Sequence, residues 1–107
     1  MKLRLLVRPL AKSDLDEQAK YIASDNLEAA LRFLDAAEAA FERLRSSPRI
    51  GRRREFTRRE LSGVRSWPVP GFEKHIVFYR ADAGSIEVLR VLHSARDLAA
   101  ILGPERR

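Results

Sequence analysis

The 107-residue chain has no cysteine, one tryptophan, two histidines and five glycines, none adjacent to another. Without cysteine there can be no disulfide, thiolate metal site or cysteine nucleophile, a composition that fits a reducing compartment. Isolated glycines do not build a phosphate-cradling loop. Long apolar runs are also missing, and none approaches the roughly 20 residues that span a bilayer. The opening Met1-Lys2-Leu3-Arg4-Leu5-Leu6-Val7-Arg8 interleaves charge with apolar residues and offers no small-residue cleavage site, so it does not read as a signal peptide. A cytoplasmic protein without membrane contact is expected. His75 and His93 fall in different segments with no carboxylate at ligand spacing, which argues against a metal site. No serine stands in a nucleophile-elbow pattern, and nothing in the sequence calls for a cofactor.

What is present is 45% hydrophobic, enough for one core, in a length too short for two. One domain over residues 1–107 is expected. The net charge of +6 is unevenly spread. Residues 1–12 carry four basic groups and no acidic one, whereas residues 13–47 carry four basic and eight acidic groups. Residues 48–65 carry seven arginines against two glutamates. Such segregation points to two surfaces with different partners, the alternative being a solvated arginine loop that serves solubility.

Residues 2–8 alternate, with Leu3, Leu5 and Val7 on one face, which predicts a strand ended by Pro9. Ser13 and Asp16 read as a capping box opening a first helix, with Leu15, Ala19, Ile22 and Ala23 as its buried stripe to Ser24. Asp25-Asn26 breaks that helix and caps a second. Leu27, Ala30, Leu31, Leu34, Ala37, Phe41 and Leu44 give this second helix its helical spacing, and Ser46-Ser47-Pro48 stops it. Periodicity is lost from Arg49 to Leu61, where Gly51 marks a turn. Three strands then follow: 64–69, with Pro68 at an edge or terminus; 75–80; and 86–93. Pro70-Gly71 and Asp82-Ala83-Gly84-Ser85 join them as hairpins. Ser94 caps a last short helix from Ala95 to Leu102, stopped by Gly103-Pro104. The expected fold is α+β: strand, helix, helix, three-stranded antiparallel meander and short C-terminal helix. The helical hairpin packs on one sheet face, and the other is exposed or covered by a partner.

The chemistry-bearing residues form a loose constellation. Arginines on a sheet suit phosphate, because the guanidinium offers a bidentate fork at fixed charge. A metal-free ribonuclease needs a base, an acid and cations for the phosphorane, and Arg65, Tyr79, Arg80, Arg90 and His93 are the candidates. Plainer roles stand beside these. Arg80 and Arg90 can pair with Glu87 or Asp82 across the hairpin, and His93 can be a hydrogen-bonded strand-end residue. Arg96-Asp97 can be a local ion pair and cap, and Trp67 and Phe72 can be packing residues.

Several ordered stretches carry a family resemblance: 24–30 (SDNLEAA), 47–52 (SPRIGR), 64–69 (VRSWPV), 76–80 (IVFYR) and 86–97 (IEVLRVLHSARD). Together they resemble the ParE/RelE superfamily of type II toxin–antitoxin toxins, also called plasmid stabilisation proteins, and the ParE branch more than the RelE branch. The resemblance implies the same fold and a cognate ParD-like, ribbon–helix–helix antitoxin whose C-terminal segment wraps the toxin. It implies DNA gyrase as target for a ParE-like member, without catalysis by the toxin. For a RelE-like member it implies ribosome-associated mRNA, cut by a metal-free endoribonuclease. The exit from the last strand, 91–97, resembles ParE-type sequences, so gyrase inhibition is the first expectation and ribonuclease activity the second. Arg52, Arg53, Arg54, Arg58, Trp67, Arg80, Arg90 and Arg96 are the expected partner-binding residues, forming a basic seat for an acidic antitoxin segment.

Overall fold

The computed structural model describes residues 2–94 and 97–106. In chain order the elements are β1 (Arg4–Val7), α1 (Pro9–Ala23), α2 (Leu27–Ser46), β2 (Arg52–Arg53), a 3₁₀ turn (Arg59–Leu61), β3 (Arg65–Val69), β4 (Phe72–Ala81), β5 (Ser85–His93) and α3 (Leu98–Leu102). Among the described residues no helix is long and apolar enough to cross a membrane.

Pro9 both ends β1 and starts α1. Its fixed φ suits the first helical position, where its missing N–H costs nothing, and Arg8 occupies the N-cap in extended backbone without a side-chain bond. The expected capping box at Ser13 and Asp16 is therefore corrected: both lie inside the helix. The cap of α2 is as expected, with Asn26 Oδ1 accepting from the Ala29 N–H at 3.0 Å. Its buried face keeps Ala30, Ala37, Phe41 and Leu44 of the expected stripe but takes Phe33 and Ala40 in place of two leucines. Leu27 and Leu31 are exposed, while Ala30, Phe33, Ala37, Ala40, Phe41 and Leu44 are buried. The bulky ring sets that phase: Phe33 packs edge-on against Phe72 at 5.4 Å and tilts over His75 at 4.8 Å.

The sheet has five strands in the order β1-β5-β4-β3-β2. The meander β3–β4–β5 is present as expected, and the two other strands close it at its edges. The helical hairpin carries the chain from β1 at one edge to β2 at the other, and β1 pairs in parallel with β5, placing Leu5 beside Ile86 and Val7 beside Val88. β2 lies within the segment that shows no period, and pairs antiparallel with β3 through Arg52–Ser66 and Arg53–Arg65. Pro68 sits beyond the reach of β2, where its missing N–H leaves no ladder bond unmade. Pro70-Gly71 turns the chain with Gly71 at φ 82°, and Asp82 Oδ1 ties the second hairpin by accepting from the Gly84 and Ser85 N–H groups, both at 2.9 Å. α3 begins at Leu98 with Asp97 at its N-cap position and no side-chain bond there. The expected start at Ala95 lies outside the described residues.

Both sheet faces are covered by the chain itself. The hairpin face holds Phe33, Phe41, Leu44, Val77, Tyr79, Val88 and neighbours. On the second face, Phe56 and Val64 of the 54–64 loop and Leu102 of α3 pack on Phe78, Leu89 and Leu92. The expectation of an exposed or partner-covered second face is corrected to that extent. The loop that looked solvated anchors two apolar residues in a second core.

Candidate functional site

Tyr79 is the most enclosed of the residues singled out from sequence. Its side chain is fully buried on the hairpin face, where the hydroxyl donates to Pro48 O at 2.7 Å and accepts from the Gly51 N–H at 2.9 Å. Burial pushes the phenol above its ordinary value. A hydroxyl held neutral and used in both directions is a structural pin. Arg65, opposite Tyr79 on β3, works on the same loop, its Nη1 donating to Gly51 O at 2.9 Å. The arginine-rich loop is thus hung from the sheet at its first turn.

Arg90 is equally committed. Its Nε and Nη2 reach the two carboxylate oxygens of Asp14 at 2.8 and 2.7 Å, a bidentate fork from β5 to α1. Asp14 Oδ2 also accepts from the Val91 N–H at 3.0 Å. One turn on, the Gln18 amide donates to Val91 O at 2.7 Å and its Oε1 lies 2.6 Å from His75 Nδ1. Because the Gln18 nitrogen is spent on Val91, its oxygen is the acceptor, which makes His75 Nδ1 the donor. His75 and His93 face each other across the β4–β5 ladder, rings edge-on at 5.3 Å. The pairing of Arg90 with Glu87 or Asp82 weighed from sequence is replaced by Asp14. Arg80 does reach Glu87, at 3.4 Å, while its Nη1 donates to Glu60 O and Ser62 O. Arg80 and Arg90 line a common cleft of about 470 Å³ on the second face, floored by Leu61, Leu89 and Leu102. Arg65 and Tyr79 stand toward the β2 edge on the hairpin face, and His93 at the far end of β5.

The remaining arginines surround a second cleft of about 420 Å³ between the end of β2, the 54–63 loop and Arg106. Arg52 and Arg53 are exposed on β2. Arg54 is clamped by the Glu105 carboxylate and stacks over Phe56 and Phe78, its guanidinium carbon 5.6 Å from each ring centre. Arg58 Nη1 donates to Ile101 O at 2.9 Å. Trp67 is half-buried against the first core, as a packing residue would be. Arg96 lies outside the described residues, so its pairing with Asp97 is not placed.

The C-terminal residues enter this cleft in a way the sequence did not announce. Phe56 and Glu105 form a β-bridge, the Thr57 N–H donates to Pro104 O at 3.0 Å, and the Arg106 N–H donates to Glu55 O at 2.6 Å. The bond from Arg54 holds the Glu105 carboxyl below its usual range. That contribution is in force above the unfolded value near 4.3 and is lost as pH falls through the lower folded value. Glu105→Gln is therefore expected to flatten the loss of stability between about pH 5 and 3, followed by thermal unfolding at each pH. An unchanged slope would show that the clamp contributes nothing.

Asp14, Gln18 and Glu105 escaped sequence reasoning, as did Phe33. For Asp14 and Gln18 a signal existed. Ala11, Asp14 and Gln18 share one helical face with the apolar positions, and a carboxylate there demands a buried cation. Glu105 carries no such mark, since its partner stands 51 positions away.

A family model described as "ParE toxin of type II toxin-antitoxin system, parDE" matches residues 5–98. The chain belongs to this ParE toxin family. Toxin ParE3 of Caulobacter vibrioides is 33% identical over 97 residues, which cover 90% of each chain. A solved structure described as "Chromosomal ParDE TA system from P. aeruginosa" superposes with a TM-score of 0.68 at 20% identity, covering 86% of this chain and 96% of that one. That likeness shows a shared fold, helix pair and sheet together. The ParE family match covers both the basic loop and the Asp14–Arg90 fork.

Proposed function

We propose that this ParE-family chain inhibits DNA gyrase and is neutralised by a ParD-like, ribbon–helix–helix antitoxin in the cytoplasm, a pairing able to stabilise a plasmid that carries it. The observation that carries the reading is the family match over residues 5–98. The side-chain geometry agrees with it. Tyr79 has its hydroxyl engaged as donor and acceptor, and Arg90 is neutralised by Asp14, so two of the five residues an RNA-cutting site would need are spent on the fold. Expression of the chain without its antitoxin is expected to induce the SOS response and to accumulate gyrase-dependent DNA cleavage. Intact DNA alongside degraded mRNA would overturn this in favour of the ribonuclease.

For the antitoxin we infer a seat along β1. This strand lies at the sheet edge, beside a groove of about 670 Å³ lined by Leu5, Val7, Leu15, Leu34, Ala37 and Phe41. An extended segment pairing with that edge would place alternate side chains in the groove. Charge does not select the segment, because Lys12 on the rim stands with Asp16, Glu38 and Glu42; the apolar lining and the open strand edge carry this seat. Of the arginines expected from sequence to bind a partner, Arg54 and Arg90 are consumed by Glu105 and Asp14. Arg52, Arg53 and Arg58 remain available for contacts outside the chain.

A further inference from the structure

We propose that the arginine cleft at the β2 edge grips the phosphate backbone of duplex DNA. Five guanidinium groups line it, from Arg53, Arg54, Arg58, Arg59 and Arg106, against the one carboxylate of Glu55. Glu105 neutralises Arg54 alone. Arg58 spends one N–H on a neutral carbonyl, and among the described residues Arg53, Arg59 and Arg106 touch no carboxylate.

The cleft is held in shape by bonds that involve none of its free guanidinium groups. The tail is laced to the loop by Thr57 N–H to Pro104 O and Arg106 N–H to Glu55 O, and the Arg54–Glu105 clamp fixes its direction. Gly103 lets the Arg58 side chain lie against the tail: a Cβ there would stand 3.1 Å from Arg58 Nε. The structure thus fixes the walls while the guanidinium heads of Arg53, Arg59 and Arg106 stay in water.

Chemistry chooses between a nucleic acid and an acidic protein segment. A protein partner draws its affinity from apolar anchors in desolvated pockets. This cleft offers none, since Phe56 is buried in the second core and Leu61 packs against it. Phosphate binding needs only cations with the right fork, and residues 48–65 supply arginine exclusively, with no lysine. The apolar groove that would suit a protein segment lies elsewhere, along β1. The choice of DNA over RNA rests on the gyrase reading, in which cleaved duplex is close at hand.

The test is fluorescence anisotropy of the full chain with a labelled mixed-sequence DNA duplex at salt concentrations from roughly 50 to 200 mM. Binding is expected in the range of about 1–100 µM, falling steeply with salt. The triple variant Arg53→Gln, Arg59→Gln, Arg106→Gln is expected to bind at least about tenfold more weakly, with a log–log salt slope shallower by about 2 to 3. A control removes the same charge from the hairpin, Lys20→Gln, Arg32→Gln, Arg43→Gln, and is expected to stay within about twofold of the parent. All six positions are exposed, so circular dichroism should show both variants folded. Equal losses in the two variants, or no binding at low salt, would overturn the proposal. Tighter binding of a polyglutamate peptide than of the duplex would overturn it in favour of a protein segment. A parent chain that binds duplex through this cleft but leaves gyrase untouched upholds the cleft and removes only the gyrase reading.

Discussion

Asp14→Ala should cost about 3 kcal/mol of stability, a loss as large as truncating a buried core side chain. The carboxylate answers three donors at once: two guanidinium nitrogens of Arg90 and the Val91 N–H. Its removal strands a guanidinium whose side chain is only 21% exposed, together with a buried backbone donor. The partial exposure of Arg90 places the cost at the lower end of the range for broken buried pairs, because the guanidinium can tilt toward water. In a domain of this size the melting temperature should fall on the order of 15 °C, read by circular dichroism. The double variant Asp14→Leu, Arg90→Met is expected to recover much of that loss, since it removes both charges and leaves only the Val91 N–H unanswered. A loss below about 1 kcal/mol in the single variant would show that Arg90 is held by something other than Asp14. Because Asp14 touches no cation outside the fold, lost toxicity in this variant should track lost folded protein.

Gly51→Ala should be nearly as damaging, by about 3 kcal/mol, for a steric reason. A methyl group there would overlap the ring and hydroxyl of Tyr79 and stand 2.9 Å from Ser66 O. Neither neighbour can give way. Tyr79 is fully buried between sheet and hairpin, and Ser66 O belongs to β3. Tyr79→Phe alone should cost about 1–2 kcal/mol, because the Gly51 N–H and Pro48 C=O lose their partner in the interior. Combining the two changes should cost less than their sum, since removing the hydroxyl removes part of the overlap. Chemical denaturation of the three variants forms the cycle, and strict additivity would show that the methyl group and the hydroxyl do not meet. Local loosening is a further expected sign, with β2 and the arginine cleft exchanging amide hydrogens faster than β4 and β5.

Legibility from sequence followed the range of the interactions. The Asn26 cap, the Ser46 stop, the Pro70-Gly71 turn and the Asp82 hairpin are local, and each was readable from residues within four positions of itself. The α2 stripe was readable over Ala30, Ala37, Phe41 and Leu44 but not in its first turns. Leucines at 27 and 31 outvoted the single phenylalanine at 33, and burial went to the ring that meets Phe72 and His75. What failed to show was long-range and polar. β2 has two residues and exists because β3 and Tyr79 hold it there. Of the candidate site, the arginine density was legible. That Arg90 and Arg54 are spent on Asp14 and Glu105 was not, because those partners stand 76 and 51 positions away, whereas Arg80 with Glu87, seven positions on across the hairpin, was legible.

The parallel pairing of β1 with β5 also governs when this fold can exist. Leu5 must find Ile86, so β1 waits for β5. The hairpin of α1 and α2 can form early from neighbouring residues. Its apolar face can meet Phe72, Val77 and Tyr79 of β4 first, but the Asp14 carboxylate has no partner until β5 arrives with Arg90 and Val91. Closure over so long a loop is entropically costly and slow, and it delays the β1–β5 pairing until β5 has been synthesised. A chain arranged this way emerges from the ribosome unarmed: the completed sheet assembles only after β5 has been made.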